Sequence, residues 1–225
     1  MKIAPSIYEK TPADFLNQLT RLSFYFSYFQ IDIADGIYTP NKTITVEEIN
    51  KLLDSEFQTT TKMLFDFHLM VNNYEAEIQK IIKLKDKINI GAVLIPYSLH
   101  PNYSLLTKNY PTSLGLVLNS EDTVSNLVKD YDIKTIPIIQ IMTVHIGAQG
   151  NPFLAENLKK IEQLKNAGFP GKIFIDGGIN DKTLPQILSQ KYQPDVLCVG
   201  SYLTKNNDLK NNIFVHDRDQ NGYFS

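Results

Sequence analysis

Residues 136–142, Ile-Pro-Ile-Ile-Gln-Ile-Met, form a run that is apolar nearly throughout. Such a run is typical of a strand that is buried on both faces of a parallel sheet. A polar, glycine-containing stretch follows, and Asn151-Pro152 then opens a helical pattern that Gly168 ends. A second apolar run comes after this helix, at residues 173–175. The order of strand, helix and strand predicts one βαβ unit of a parallel sheet.

The same alternation extends over most of the chain. Short runs rich in Ile, Val, Leu and Phe occupy residues 3–7, 29–33, 63–70, 88–95, 114–118, 136–142, 173–175 and 196–199. Helical patterns lie between several of these runs, at residues 74–84 and 181–188 and in the segment that Thr11-Pro12 opens. Residues 97–112 carry a weaker pattern, which predicts a short or irregular helix there.

Eight predicted strands that alternate with helices favour an α/β fold, the (β/α)8 TIM barrel. A doubly wound open sheet is the alternative, but it usually has a glycine-rich loop after its first strand. Ser6-Ile7-Tyr8 stands at that place here. We therefore expect residues 1–203 to form a single barrel domain. Residues 204–225 are polar, rich in Asn and aperiodic, and are predicted to be a poorly packed C-terminal extension.

The composition limits the class of protein. Of the 225 residues, 43% are hydrophobic and 20% charged, which excludes intrinsic disorder as the general state. A net charge of −2 without a basic stripe argues against nucleic acid and anionic membranes as partners. No apolar run approaches the ~20 residues of a membrane span, and the N-terminus lacks the apolar core of a secretory signal. The single cysteine, Cys198, cannot form an internal disulfide, which predicts a cytoplasmic location.

Polar residues follow the predicted strands, at the end of a βα barrel where functional sites form. They are Ser6, Asp32, Asp35, His68, Asn119, Asp176 and Ser201. Two carboxylates with a histidine indicate a divalent metal site. The last three loops contain glycines where backbone N–H groups typically hold phosphate, namely Gly147, Gly150, Gly177, Gly178 and Gly200. Together these features predict a phosphorylated small substrate that is presented to a metal and two carboxylates.

Each of these signals also has a purely structural interpretation. Asp-Gly-Gly at residues 176–178 is more often a turn than a site, and Asp35-Gly36 is a turn signal too. His68 alone is more often a core histidine, and methionines are most often core filling. Asp32 is harder to explain in this way, because a carboxylate inside a buried strand needs a partner or a metal. The occurrence of all these residues at successive strand ends favours a functional site.

Several segments, taken in order, resemble the ribulose-phosphate 3-epimerases, a metal-dependent family of (β/α)8 barrels of the ribulose-phosphate-binding type. The resemblance covers roughly residues 1–203 and rests on the set as a whole. The matching segments are Ile-Ala-Pro-Ser-Ile at 3–7, Ile-Asp-Ile-Ala-Asp-Gly at 31–36 with Pro40, Asn41 and Thr43, Asp-Phe-His-Leu-Met-Val at 66–71, Gly-Leu-Val-Leu-Asn at 115–119, Ile-Met-Thr-Val at 141–144, Asp-Gly-Gly-Ile-Asn at 176–180 and Val-Gly-Ser at 199–201.

The resemblance implies inversion of C3 in a ketopentose 5-phosphate, ribulose 5-phosphate to xylulose 5-phosphate, through an enediolate. Asp32 and Asp176 would be the two acid–base residues and also ligands of one divalent metal, with His68 as a further ligand. Removal and return of the proton on opposite faces of C3 needs two such groups. Substrate-binding residues implied by the family are Ser6, His68, Met70, Met142, the loop from Gly147 to Gly150, Gly177, Gly178, Gly200 and Ser201. Family members commonly form dimers or hexamers, so a homo-oligomer is expected.

The chain departs from the family pattern His-x-Asp-x-Met-Asp-Gly on the second strand. Gln30 replaces the histidine that would be the fourth metal ligand, and is predicted to be a weak ligand. An amide oxygen suits magnesium or manganese better than zinc, so the resemblance leaves the metal open among Zn, Mn, Fe, Co and Mg. Ala34 and Ala148 replace larger family residues, which predicts a wider cavity. His145 either approaches the phosphate or metal or is a surface residue.

Three functional hypotheses follow. The first is a working 3-epimerase of a ketose phosphate. The second is a diverged relative that epimerises a hexulose 6-phosphate or only binds a sugar phosphate, because Gln30 and the strand-four and strand-six motifs are altered. The third, a decarboxylase of the orotidine-phosphate type, needs an Asp-x-Lys-x-x-Asp cluster. No lysine stands near Asp32 at the corresponding place, so the third is set aside.

Overall fold

The structure is a computed structural model that describes residues 1–55, 63–147 and 150–216. Within these residues, eight parallel strands close into a barrel in chain order, with the last strand paired to the first. This confirms the predicted (β/α)8 barrel and excludes the open sheet. The strands are β1 (Lys2–Ile7), β2 (Tyr28–Ala34), β3 (Leu64–Met70), β4 (Asn89–Pro96), β5 (Leu114–Leu118), β6 (Ile138–Met142), β7 (Lys172–Asp176) and β8 (Val196–Val199).

Helices connect the strands on the outside of the barrel. They are α1 (Pro12–Ser23), α2 (Val46–Ser55), α3 (Tyr74–Ile82), α4 (Tyr103–Asn109), α5 (Val124–Asp130), α6 (Lys159–Asn166), α7 (Leu184–Leu188), α8 (Ser201–Thr204) and α9 (Ile213–His216). Short 3-10 helices lie at Lys83–Asp86, Tyr97–Leu99, Ile133–Thr135, Ala155–Leu158 and Leu209–Asn211. No helix of the described residues combines the length and apolar character that crossing a membrane requires.

Side-chain caps fix where several helices begin. Thr11 accepts a hydrogen bond from the N–H of Asp14 at 3.2 Å, and Pro12 occupies the first turn of α1, as predicted. Asn73 caps α3 in the same way through the N–H of Ala76 at 3.2 Å. The weak pattern after β4 becomes a 3-10 turn followed by the short helix α4, which agrees with the prediction.

The two helices after β6 and β7 begin later than predicted. Asn151-Pro152 does not open a helix, because residues 151–154 are not helical and the N–H of Leu154 bonds the carbonyl of Thr143 at 2.7 Å. α7 starts only at Leu184, since residues 180–183 form a turn around the side chain of Asn180. In both places, residues that helical periodicity alone assigns to the helix belong to the polar loop before it.

The described part of the C-terminal segment is packed, so its interpretation as a poorly packed extension is wrong for residues 204–216. Leu209 and Phe214 are buried in the main hydrophobic core. The guanidinium of Arg21 on α1 donates to the carbonyls of residues 203, 204 and 206 at 2.8–3.0 Å. Two well-spaced apolar side chains anchor a segment that looks polar on average. Residues 217–225 lie outside the described residues, and the domain boundary at 203 stays a prediction.

The barrel interior contains a buried carboxylate, that of Asp66, on the side of the N-terminal strand ends. The carboxylate of Asp66 accepts hydrogen bonds from the Tyr28 hydroxyl and the N–H of Ala92. Burial raises the pKa of Asp66 to about 6. Gly91 packs against this carboxylate, and a Cβ at that position would overlap Asp66 Oδ1. The glycine is therefore required by close approach rather than by its backbone angles.

Replacing Asp66 by Asn is expected to change how stability depends on pH. The unfolded pKa of aspartate is ~3.9, so the folded wild type binds this proton more tightly, and its stability is lost as pH rises through 6. The loss is about 3 kcal/mol between pH 4 and pH 8. Urea unfolding of both proteins across this range measures it. As pH rises, the free energy of unfolding of Asp66→Asn should increase relative to that of the wild type. Parallel plots of the two free energies against pH would contradict the prediction.

Candidate active site

A cavity of about 590 Å³, including its part open to solvent, lies at the carboxyl ends of the strands. It brings together every described residue that the sequence predicts to be catalytic or substrate-binding. These are Ser6, Asp32, His68, Met70, Met142, Gly147, Gly150, Asp176, Gly177, Gly178, Gly200 and Ser201. Their convergence follows from the parallel barrel, because every strand delivers its carboxyl end to the same face.

Asp32, His68 and Asp176 form the centre of this cavity. Strand pairing places Asp32 opposite His68 on β2 and β3, and Asp176 is the last residue of β7. Nδ1 of His68 lies 3.2 Å from Asp32 Oδ1 and 3.6 Å from Asp176 Oδ2. The Ser6 hydroxyl donates to Asp32 Oδ2 at 2.5 Å. One nitrogen of the imidazole thus faces both buried carboxylates.

Burial and charge act in opposite directions on these groups. Burial lowers the pKa of His68, but the hydrogen bonds and charges of Asp176 and Asp32 outweigh it and raise the pKa to about 9. Burial raises the pKa of Asp176 against the hydrogen bond from His68, and the carboxylate of Asp32 adds to the rise. A buried carboxylate whose protonated form is favoured is suited to acid–base chemistry.

The same three residues could hold a metal ion. Asp32, His68 and Asp176 are all buried, and one ligand atom from each lies within 4.8 Å of the others. Two carboxylate oxygens and one imidazole nitrogen are a donor set that fits a divalent transition metal or magnesium. Three protein ligands leave coordination positions open for a substrate, as catalytic metal sites require.

Gln30 lies beneath this cluster and does not line the cavity. Its side-chain nitrogen donates to Asp32 Oδ1 at 3.0 Å and to Asp176 Oδ2 at 2.7 Å. Its carbonyl oxygen faces the thiol of Cys198, with Sγ at 3.1 Å. The amide oxygen, the only ligand atom of the side chain, faces away from the carboxylates in this arrangement, and metal ligation by Gln30 stays a prediction.

The glycine loops form the opposite wall of the cavity. Gly147, Gly150, Gly177 and Gly178 all have positive φ, between 67° and 118°. The hydroxyl of Thr143 donates to the carbonyl of Gly177 at 2.6 Å, which fixes the loop after β7 against the loop after β6. Bare backbone at positive φ allows close approach of a phosphate.

Two polar residues from the predicted strand ends hold loops instead of lining the cavity. Asp35 Oδ1 accepts from the N–H groups of Ile37 and Tyr38, both at 2.8 Å, so it anchors the loop after β2. The Asn119 amide donates to the Tyr38 hydroxyl at 2.8 Å. Both residues follow their strands but lie beyond the cavity, which the strand-end rule alone does not distinguish.

The remaining sequence-based expectations concern three residues. His145 is a surface residue, with Nδ1 2.9 Å from Ser120 Oγ and 3.1 Å from Glu121 Oε1. Ala34 is buried and is not among the described residues that line the cavity, and the wider cavity stays a prediction. Ala148 lies outside the described residues.

Sequence reasoning missed Tyr8, Asn151 and Ile146, which line the cavity, and Gln140 beneath it. The Tyr8 hydroxyl lies 3.5 Å from the carbonyl of Gly147. Burial raises the pKa of Tyr8, and the carboxylate of Asp32 adds to the rise. The signal for Tyr8 was its position just beyond Ser6 at the end of β1. Gln140 gave no separate signal, because it stands inside an apolar run.

Comparisons with known proteins agree with this geometry. A sequence profile of the "Ribulose-phosphate 3 epimerase family" matches residues 2–204. The ribulose-phosphate 3-epimerase of Bacillus subtilis is 28% identical over 220 residues, covering 95% of this chain and 96% of that protein. The one from Methanocaldococcus jannaschii is 29% identical over 196 residues, covering 81% and 75%.

Solved structures of low sequence similarity share the fold. A chain of the tryptophan synthase complex from Pyrococcus furiosus superimposes with a TM-score of 0.63 at 13% identity, covering 91% of this chain and 88% of that one. Tryptophan synthase subunit alpha from Campylobacter jejuni gives 0.60 at 14% identity, covering 95% and 93%. The profile match over nearly the whole chain shows that this protein belongs to the ribulose-phosphate 3-epimerase family, a family of isomerases.

Proposed function

We propose that this enzyme inverts C3 of ribulose 5-phosphate to give xylulose 5-phosphate through an enediolate. The observation that carries the proposal is the pair of buried carboxylates, Asp32 and Asp176, which lie within 3.2 and 3.6 Å of His68 Nδ1 in one cavity. Inversion requires one group to remove the C3 proton and another to return it from the opposite face. Two carboxylates that converge from β2 and β7 meet this requirement.

Asp32 and Asp176 exchange the roles of base and acid between the two directions of the reaction. The Ser6 hydroxyl donates to Asp32 Oδ2 at 2.5 Å and holds this carboxylate in place. Burial favours the protonated form of Asp176. In one direction Asp32 starts as the base and Asp176 as the acid, and the reverse direction starts from the exchanged state.

One divalent metal, of Zn, Mn, Fe, Co or Mg, completes the proposed site and is held by Asp32, His68 and Asp176. When bound, it supplies positive charge that stabilises the enediolate oxygens. The glycine wall, with Gly200 and Ser201, holds the phosphate and so keeps C3 between the two carboxylates. Met70 and Met142 supply apolar surface beside the reacting carbons.

The wider setting is also proposed. A ketose phosphate is the partner we expect, with no nucleic acid or membrane partner and with assembly into a homo-oligomer. Cys198 is the one cysteine of the sequence and is buried, so no internal disulfide contributes to the fold. A reducing cytoplasm is therefore the proposed location.

Incubation with ribulose 5-phosphate in deuterated water tests the proposed function. The protein is stripped of metal, reloaded with each divalent ion in turn, and C3 deuterium is followed by NMR. Deuterium at C3 together with xylulose 5-phosphate is the expected result. Exchange with a hexulose 6-phosphate alone would move the substrate to the longer sugar. No exchange with either sugar and any metal would overturn the epimerase assignment.

Replacing Tyr8 is expected to weaken substrate binding more than catalysis. The ring forms one wall of the cavity, and its hydroxyl lies against the carbonyl of Gly147. Tyr8→Ala opens this wall and should raise KM about tenfold, with kcat changed less. Tyr8→Phe keeps the ring and should raise KM only about twofold to fivefold. Steady-state kinetics give KM and kcat of both variants. A wild-type KM for Tyr8→Ala would show that Tyr8 does not contribute to substrate binding.

A further inference from the structure

Gln30 is fully buried, and each polar atom of its side chain has a partner in the barrel interior. We propose that Gln30 is a positioning residue that bridges Asp32 and Asp176 through its amide nitrogen, that Cys198 fixes this orientation, and that the metal has three protein ligands. The inference rests on the proposed function for the roles of the two aspartates. It adds a role for Gln30 that is distinct from metal binding.

The geometry requires the amide nitrogen to face the carboxylates. The distances of 3.0 Å to Asp32 Oδ1 and 2.7 Å to Asp176 Oδ2 give one acceptor to each of the two amide hydrogens. Carboxylates that bind a cation are deprotonated. In that state, turning the amide over would place its carbonyl oxygen against two carboxylate oxygens, which repel it, and would leave both without this donor. A single neutral side chain thus sets the separation of the two acid–base groups.

Cys198 contacts the other end of the Gln30 amide, its carbonyl oxygen. It is buried on β8, and register pairs it with Asp176 on β7. Its thiol donates towards the carbonyl oxygen of Gln30, with Sγ 3.1 Å away. A donor at that place favours the amide orientation with oxygen towards Cys198 and nitrogen towards the carboxylates.

Gln140 offers a matched control in the same layer of the barrel. It is a second fully buried glutamine, and its nitrogen donates to Asp176 Oδ2 at 3.2 Å. Among the described residues, however, it reaches only one of the two carboxylates. Gln140→Met therefore removes one hydrogen bond to a carboxylate, together with longer contacts of 3.7 Å to Met142 Sδ and Cys198 Sγ, without removing the bridge. Gln30→Met removes the bridge at nearly the same volume.

The first test uses electron paramagnetic resonance of bound Mn²⁺, with metal-stripped wild type, Gln30→Met and Gln140→Met and no substrate. Loss of a hydrogen-bond donor to the ligands typically weakens metal binding by about 10- to 100-fold, so the dissociation constant alone does not separate a bridge from a ligand. The number of water ligands on Mn²⁺, counted from line broadening in ¹⁷O-labelled water, is expected to be the same in Gln30→Met as in the wild type. An additional water ligand in Gln30→Met would show that Gln30 is a ligand and overturn the inference. Absence of Mn²⁺ binding to the wild type would overturn the three-ligand site.

The second test measures turnover. Gln30→Met should lower kcat about tenfold or more with KM within about threefold, and Gln140→Met should lower kcat by less than about threefold. Cys198→Ala should lower kcat as well, and Cys198→Ser, which keeps a donor, should restore it. Unchanged kcat in Gln30→Met, or failure of Cys198→Ser to improve on Cys198→Ala, would contradict the positioning role. If the wild type itself exchanges no C3 proton, the proposed function fails, while the Mn²⁺ measurement still decides between ligand and bridge.

Discussion

The Asp176→Asn variant is expected to lose C3 proton exchange with ribulose 5-phosphate by a factor of about 10² to 10⁴ while it keeps its fold. The amide has nearly the same shape and still accepts hydrogen bonds from Gln30 and Gln140. It cannot, however, take up or return a proton at neutral pH. Exchange in deuterated water, followed by NMR with the metal present in excess, measures the loss directly.

Asp66→Asn is the matched control for this experiment. It removes another buried carboxylate from the barrel interior, but one that does not line the cavity. Its exchange rate should stay within about threefold of the wild-type rate. Wild-type exchange in Asp176→Asn would show that Asp176 is not one of the two acid–base groups. Equal losses in both variants would indicate a general effect on the barrel instead of a missing proton carrier.

Gly177→Ala is expected to raise KM for the sugar phosphate about tenfold or more, which corresponds to ~1.4 kcal/mol or more of binding free energy. Gly177 has φ +112°, a region that L residues avoid, and an added Cβ would overlap the side chain of Val144. The loop after β7 must therefore move, and the backbone that faces the proposed phosphate position moves with it. Steady-state kinetics give KM, and thermal unfolding gives the accompanying loss of stability.

Gly168→Ala separates this effect from the general cost of a left-handed alanine. Gly168 also has positive φ, at +78°, but it follows α6 and no atom lies within 4 Å of an added Cβ. This variant should cost about 1–2 kcal/mol of stability and leave KM unchanged. If Gly177→Ala keeps the wild-type KM, the loop after β7 does not hold the phosphate.

The fold could be predicted because its signal is local and repeated. Apolar runs close to the observed bounds of β1 to β8 are visible in the sequence, and parallel strands deliver their carboxyl ends to one face. That rule alone predicts that Asp32, His68 and Asp176 lie close together. The same rule also selected Asp35, which holds a loop, because a position after a strand does not tell where the side chain points.

The features that could not be predicted depend on contacts across the barrel. The orientation of the Gln30 amide is set by Cys198, 168 positions away in sequence, and by two carboxylates on different strands. The late starts of α6 and α7 depend on loop hydrogen bonds that compete with helical periodicity. The packing of residues 209–214 needs only Leu209 and Phe214, too few apolar residues to form a periodic pattern.

The filled interior beneath the cavity limits the routes by which ligands enter and leave. Below Gln30 the barrel is occupied by buried apolar side chains such as Phe174 and Val196, which precede Asp176 and Cys198 by two positions on β7 and β8. In the described part of the chain the cavity therefore ends at this floor, and we expect both epimers of the proposed reaction to use the mouth at the strand ends as entrance and exit. Product must leave before the next substrate arrives, so we expect each epimer to inhibit conversion of the other competitively.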